Sequence, residues 1–359
     1  AAPTAAPKPA APAQPAAAPA AQSAPAAPKS VEKVSFGFGT RTINPLAMNI
    51  VIGQELGYYR EEGLEAEFKA IGSTPAIAEG IRNGSLTFGV GAPSIILPTA
   101  AKGETYPAIQ FYEYTYPFKW DWVVAENSPI RELQDVKGKK LGVASLGTVE
   151  QPIGKIMLQK IGVNPESDVT WTAVGEGTTG HIALGRGDID AMIYYDTGFG
   201  AWDVTGLKYR LLPRPDNLPQ VGGFFFQATP ATIKEKRTLA VGLGRGTAKG
   251  TIFALENPTA SAELFLKMFP EAGVPSKSKD ENVQDIKTVV ARRMPLWKPY
   301  DSSVTKWGFT TEKEWRDEVE FMELTGKVAD VGQFYTNELI DEINTFDAEA
   351  VKKQAREHR

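Results

Sequence analysis

Cysteine is absent from this 359-residue chain. That removes disulfides, thiolate metal sites, iron–sulfur ligation and cysteine nucleophiles together. Histidine is nearly absent as well: only His181 and His358 occur, so a three-histidine metal centre cannot be assembled. Neither sign of charge dominates, with 39 Lys and Arg against 43 Asp and Glu. Lacking a dense basic stripe, the chain is not expected to bind nucleic acid. No apolar run approaches the ~18 residues a membrane-spanning helix needs, and no basic segment followed by an apolar one marks a signal peptide. No base and nucleophile pair can be named, and neither a metal nor a cofactor nor an enzymatic activity is expected. What is plentiful is core material, at 42% hydrophobic residues, and a length that suggests two domains.

Composition divides the chain. Residues 1–30 are almost entirely Ala and Pro, with Lys8 and Lys29 their only charges. Proline removes backbone donors and alanine offers little to bury, so an extended, solvated spacer is predicted there. Its expected role is a tether, from a lipidated cysteine preceding Ala1, holding the globular part near a membrane. From Val31 short β-rich runs alternate with amphipathic helices. Strands are predicted at 34–38, 64–70, 86–91 and 108–115, then at 122–125, 140–144, 169–174, 189–195 and 222–228. Asn44-Pro45 and Thr74-Pro75 read as helix starts. Beyond Thr229 everything reads helical, with starts at Asn257-Pro258, at Ser278 with Glu281, and at Thr311 with Glu314. Strand–helix alternation with short loops is the pattern of βαβ units on a mainly parallel sheet. The domain expectation is lobe 1 from 31–118, lobe 2 from 119–222, and a return to lobe 1 with C-terminal helices over 223–359.

Four segments carry a family resemblance: Gly57-Tyr58-Tyr59-Arg60-Glu61-Glu62-Gly63-Leu64-Glu65-Ala66, Ile81-Arg82-Asn83-Gly84-Ser85-Leu86, Leu133-Gln134-Asp135-Val136-Lys137-Gly138-Lys139-Lys140-Leu141-Gly142-Val143, and Leu184-Gly185-Arg186-Gly187-Asp188-Ile189-Asp190-Ala191. In this order and spacing the chain resembles the NMT1/THI5-like family, which includes taurine, alkanesulfonate and nitrate binding proteins of ABC importers. The resemblance covers about residues 31–260. It implies an α/β, two-lobed, type II periplasmic-binding-protein fold, each lobe a mainly parallel sheet flanked by helices. It also implies an extracytoplasmic monomer that closes on a small-molecule ligand and docks on a membrane permease. A same-fold enzyme that makes the thiamine pyrimidine is the alternative. The resemblance associates that activity with a cysteine-rich iron motif and a reactive histidine, whereas this chain has no cysteine and His181 lies elsewhere. A scavenger or sensory module not coupled to transport is a further alternative.

Ligands of open α/β sheets lie beyond the carboxyl ends of the strands, where helix N-termini present free N–H groups. Candidate contacts are therefore the loops after strands. From lobe 1 these are Arg41, Thr42 and Asn44, then Ser73 and Thr74, then Ser94. From lobe 2 they are Ser145, Gly147 and Thr148, then Thr178, then Asp196 and Thr197. Arg41 suits an anion, and Asp196 suits an amine or hydroxyl. The aromatic run at 111–122, with Tyr114, and Phe224-Phe225-Phe226 fall where the chain crosses between lobes. An aromatic wall there favours a small organic anion or heteroaromatic compound.

Overall fold

The computed structural model describes residues 31–146, 149–215, 218–219, 221–299 and 301–358. Lobe 1 begins with β1 (Glu32–Phe38), which buries Val34, Phe36 and Phe38. Asn44 accepts a hydrogen bond from the Leu46 N–H and starts a short 3-10 turn at Pro45–Ala47, which leads into α1 (Met48–Glu55). The four-residue α2 (Tyr58–Glu61) follows. Gly63 then adopts φ 80°, a left-handed conformation that costs a glycine nothing, and the chain turns into β2 (Leu64–Ala70). Next come α3 (Thr74–Arg82), β3 (Phe88–Gly91), α4 (Pro93–Ala101) and β4 (Ile109–Thr115).

Residues 116–119 cross to lobe 2, which holds β5 (Trp120–Ala125), β6 (Lys140–Val143), α5 (Glu150–Lys160) and β7 (Thr170–Ala173). It continues through α6 (Thr179–Arg186), β8 (Ala191–Tyr195), α7 (Asp196–Val204) and β9 (Tyr209–Leu211). The chain then returns, and β10 (Phe224–Ala228) enters the sheet of lobe 1. Strand order is β2-β1-β3-β10-β4 in the first sheet and β7-β6-β8-β5-β9 in the second. β10 runs antiparallel to β3 and β4, and β5 antiparallel to β8 and β9. Each lobe is thus a mainly parallel sheet crossed by one reversed strand, and the two-lobed α/β expectation holds. Sequence reading missed β9, whose three half-buried residues are too few to show a periodicity.

The helices after β10 are α8 (Pro230–Glu235), α9 (Arg237–Glu256), α10 (Pro258–Met268), α11 (Lys279–Ala291), α12 (Glu312–Phe321), α13 (Ile340–Ile343) and α14 (Ala348–Glu357). Side-chain capping explains where five of them start, with Thr229 accepting from Thr232 N–H at α8 and Asp347 from Ala350 N–H at α14. Asn257 accepts from Ala260 N–H, and Ser278 with Glu281 and Thr311 with Glu314 form capping boxes, as the sequence predicts. No helix among the described residues is long and apolar enough to cross a membrane.

Two of these helices touch both lobes. α11 packs on α10 and the 3-10 turn of lobe 1, and its other side lies against α7 of lobe 2. The approach to α7 is close: a Cβ on Gly200 would lie 2.6–2.7 Å from the Val289 backbone. In α12, Trp315 stacks on Tyr335 and meets Phe225 beside Ile96 and Leu97 of lobe 1. Six residues later Phe321 enters the core of lobe 2, with Lys160 of α5 over its ring. Because backbone blocks Gly200, Gly200→Ala must separate α7 from α11. It is expected to cost about 1–3 kcal/mol, read as a lower urea midpoint at unchanged slope.

Candidate ligand cleft between the lobes

Four elements deliver polar side chains to the carboxyl ends of the strands: α3 and α4 from lobe 1, and α7 and the loop after β6 from lobe 2. Ser73 caps α3 by accepting from Ala76 N–H, and Thr74 is buried in its first turn. Ser94 sits in the first turn of α4, buried, and its Oγ has no hydrogen-bond partner among the described residues. On the facing lobe, Thr197 of α7 is in the same condition: buried, with Oγ1 unpartnered. A buried hydroxyl without a partner costs about 1–3 kcal/mol. One such hydroxyl stands in the first turn of a helix on each lobe, where the positive end of the helix dipole adds to its reach.

Between the lobes runs an aromatic seam. Tyr114 stacks on Phe226 at 5.3 Å and touches Phe224, and Phe224 touches Trp120. Phe224 is half-buried and packs against the cores of both lobes. Lys119, at the crossing, is buried with its ammonium 4.5 Å from the Trp120 ring and 4.3 Å from the Phe224 ring. Burial pushes its pKa well down, and nearby Arg293 pushes the same way, against Asp196, Glu113 and Glu318.

Two sequence expectations change role here. Asp196 is no free acceptor. Its carboxylate receives both Nε and Nη2 of Arg293 in a buried, two-pronged ion pair, and Oδ1 also accepts from Thr197 N–H. A planar guanidinium matches a carboxylate in this way, so the acid is taken before any ligand arrives. Arg293 is 3% exposed. Burial works against its charge, but Asp196 and the hydroxyls of Tyr114 and Tyr195 outweigh it, and its pKa is raised. The other change is Asn44, whose Oδ1 is spent on the cap of the 3-10 turn.

The remaining candidates are scattered. Arg41 and Thr42 are exposed in the loop after β1. Ser145 is half-buried after β6, and Thr178 is half-buried ahead of α6 without a side-chain capping bond. Gly147 and Thr148 lie outside the described residues, as does the spacer at 1–30. His181 is satisfied structurally, with Nε2 2.8 Å from the Lys208 carbonyl and its ring edge-on to Trp202. Among the described residues no group of three or more His, Cys, Asp and Glu is placed to hold a metal. Sequence reading missed Arg293 and Lys119. The signal for Lys119 was a lone cation inside an aromatic run. For Arg293 it was an Arg-Arg-Met-Pro end to α11, in a region where no family pattern was recognised.

Two lobes joined by paired crossings, with a polar and aromatic seam between them, define a two-lobed periplasmic-binding-protein fold. The NMT1/THI5-like family model matches residues 44–261, and the chain belongs to that family. Among solved structures it is similar to the alkanesulfonate-binding protein of Xanthomonas axonopodis pv. citri bound to MOPS. The TM-score is 0.60 at 15% identity, over 85% of this chain and 98% of that one. It is also similar to the aliphatic sulphonate binding protein of Escherichia coli, at TM-score 0.58 and 19% identity, over 76% and 88%. Among curated proteins, 4-amino-5-hydroxymethyl-2-methylpyrimidine phosphate synthase of Legionella pneumophila is 23% identical over 83% of this chain and 89% of the relative. Proteins of the same name from Aspergillus parasiticus and Schizosaccharomyces pombe are 24% and 27% identical over 70% and 42% of the chain. These three names correct the expectation that enzymatic activity is absent from such a chain, since each is the name of an enzyme.

Removing Arg293 would strand the Asp196 charge in a dry site. Arg293→Ala is expected to cost about 3–5 kcal/mol in urea unfolding, and the double variant with Asp196→Ala clearly less than the sum of the two single changes.

Proposed function

We propose that this chain is the extracytoplasmic solute-binding subunit of an ABC importer, and that it captures a small heteroaromatic compound by closing its lobes. The observation that supports this most is the pair of buried, unpartnered hydroxyls, Ser94 Oγ and Thr197 Oγ1, one from each lobe. A ligand that bonded both would stabilise the closed arrangement over the open one. Ligand charge follows from Arg293. Asp196 already neutralises its guanidinium, so an anion would have to compete with a carboxylate held in a two-pronged bond. A neutral ring with donors and acceptors meets no such competition and can stack along the Tyr114–Phe224–Trp120 seam. Small organic anions are the other arm of the test. In this reading the protein acts as a monomer that docks on a membrane permease.

The second reading is that the same cleft forms a pyrimidine phosphate, and it is carried by the names of the three curated relatives. Both readings place a nitrogen heterocycle between the lobes, so one set of measurements separates them. Thermal melting is followed against pyrimidines, aromatic carboxylates, sulfonates and inorganic anions, with mass spectrometry of each mixture. A rise in Tm that is linear in log concentration identifies a bound ligand. Ser94→Ala and Thr197→Val are each expected to weaken it about tenfold, roughly the value of one hydrogen bond to a buried ligand. A pyrimidine phosphate formed when a phosphorylated heterocyclic precursor is added to the protein would establish the synthase reading. No shift from any class on folded protein would overturn the binding reading.

A further inference from the structure

Behind the seam, where the chain returns to lobe 1, several charged groups share a space too small to hydrate them. A cavity of about 10 Å3 is lined by Glu113 of β4, Gly222 of the return crossing, and Glu314, Trp315 and Glu318 of α12. That is room for about one water molecule. Gly222 is held at both ends: its N–H donates to Glu318 Oε2 at 2.8 Å, and its carbonyl accepts from Lys119 Nζ. It has φ 87°, and a Cβ there would lie 2.2 Å from the Trp120 ring, so this backbone position is set by geometry as well as by hydrogen bonds. Two buried polar atoms of the lining residues have no partner among the described residues, Glu113 Oε2 and the Trp315 indole Nε1.

The charges around this space do not balance. Glu113 and Glu318 are each 2% exposed. Glu314 adds a third carboxylate from the first turn of α12, where it accepts from Thr311 N–H and Thr310 Oγ1. Among the described residues the cation that faces Glu113 and Glu318 is Lys119, while Arg293 beyond it is paired with Asp196. The phenol of Tyr116, neutral when buried, also lies near Glu113. Two buried carboxylates, Glu113 and Glu318, against one buried ammonium in so small a cavity cannot both stay ionised.

We propose that this cavity is a proton-binding site, in which Glu113 and Glu318 carry protons while the lobes are closed and release them when the return crossing moves and water enters. One water would join Glu113 Oε2 to the Trp315 indole N–H. The proton is thereby a co-ligand of closure, and rising pH favours the open form. The directions agree: burial pushes the Glu318 carboxyl up to about 7, against the opposing pull of Gly222 N–H and Lys119. Burial, with Glu314, pushes Glu113 well above the carboxylate range. A carboxyl raised in the folded state adds stability at low pH that is lost as pH rises through its folded pKa. For Glu318 that loss runs from about pH 4.5 to about pH 7.

This inference rests on hinge closure but needs no ligand, so it is tested on the ligand-free full chain. Glu318→Gln keeps an acceptor for Gly222 N–H and stays neutral. Wild-type Tm is expected to fall between about pH 5 and pH 8, with the fall reduced in Glu318→Gln. Small-angle scattering is expected to show the wild-type radius of gyration growing over the same range, and the Glu318→Gln radius growing less. Infrared spectra of the wild type at neutral pH are expected to show a protonated-carboxyl band that Glu113→Gln weakens. Parallel pH profiles for wild type and Glu318→Gln, a radius that ignores pH, or no such band in the wild type would each overturn the proposal. A ligand panel without hits would leave these results standing.

Discussion

Lys119 and Glu318 hold the two backbone ends of one residue, Gly222, from either side, and the contact between the lobes at the return crossing rests on that grip. The return crossing has no sheet partner at this point and is held by a cation and a carboxylate that are both out of water. Such groups are costly to bury and are kept only with good partners. Here each satisfies a backbone group that would otherwise be orphaned, and Lys119 gains the faces of Trp120 and Phe224. Moving one lobe against the other would disturb all of these contacts together.

The C-terminal helices constrain the same motion from outside. α11 is tied to lobe 2 by Arg292 with Asp203 and Tyr209, by Arg293 with Asp196, and by backbone contact at Gly200. α12 reaches into lobe 2 through Phe321 and holds the crossing through Glu318. Rotation about the two crossings alone would break these contacts. α11 therefore has to move with lobe 2 or slide on lobe 1, where its contacts are with α10 and the 3-10 turn. A shear of packed helices added to a hinge of strands fits this arrangement.

The same cleft serves a binding and a catalytic reading because its distinctive groups do something common to both. Ser94 and Thr197 offer unpaired hydroxyls from opposite walls, the aromatic seam offers a flat face, and the Arg293–Asp196 pair presents both signs of charge in balance. In the proposed function these would orient a flat, polar molecule. A fold alone does not choose between holding such a molecule and transforming it. That choice is made by what the cleft supplies to the reacting atoms.

Much of the architecture was legible in the chain itself. Asn44-Pro45, Asn257-Pro258, Ser278 with Glu281 and Thr311 with Glu314 act across three or four residues, so reading them needs no knowledge of distant parts. Alternation of apolar runs with such starts was enough for two α/β lobes, and the places of Thr74, Ser94 and Thr197 after strands were legible too. The binding chemistry was decided elsewhere. Asp196 looked like a free acceptor until Arg293, 97 positions away, was found on it. Lys119 and Glu318 meet at Gly222 from 103 and 96 residues off. A charge in sequence is the same letter whether solvated or buried. Only the packing of α7, α11, α12 and the crossings determines which charges lose their water, and a charge that has lost its water takes its role from whichever partner lies beside it.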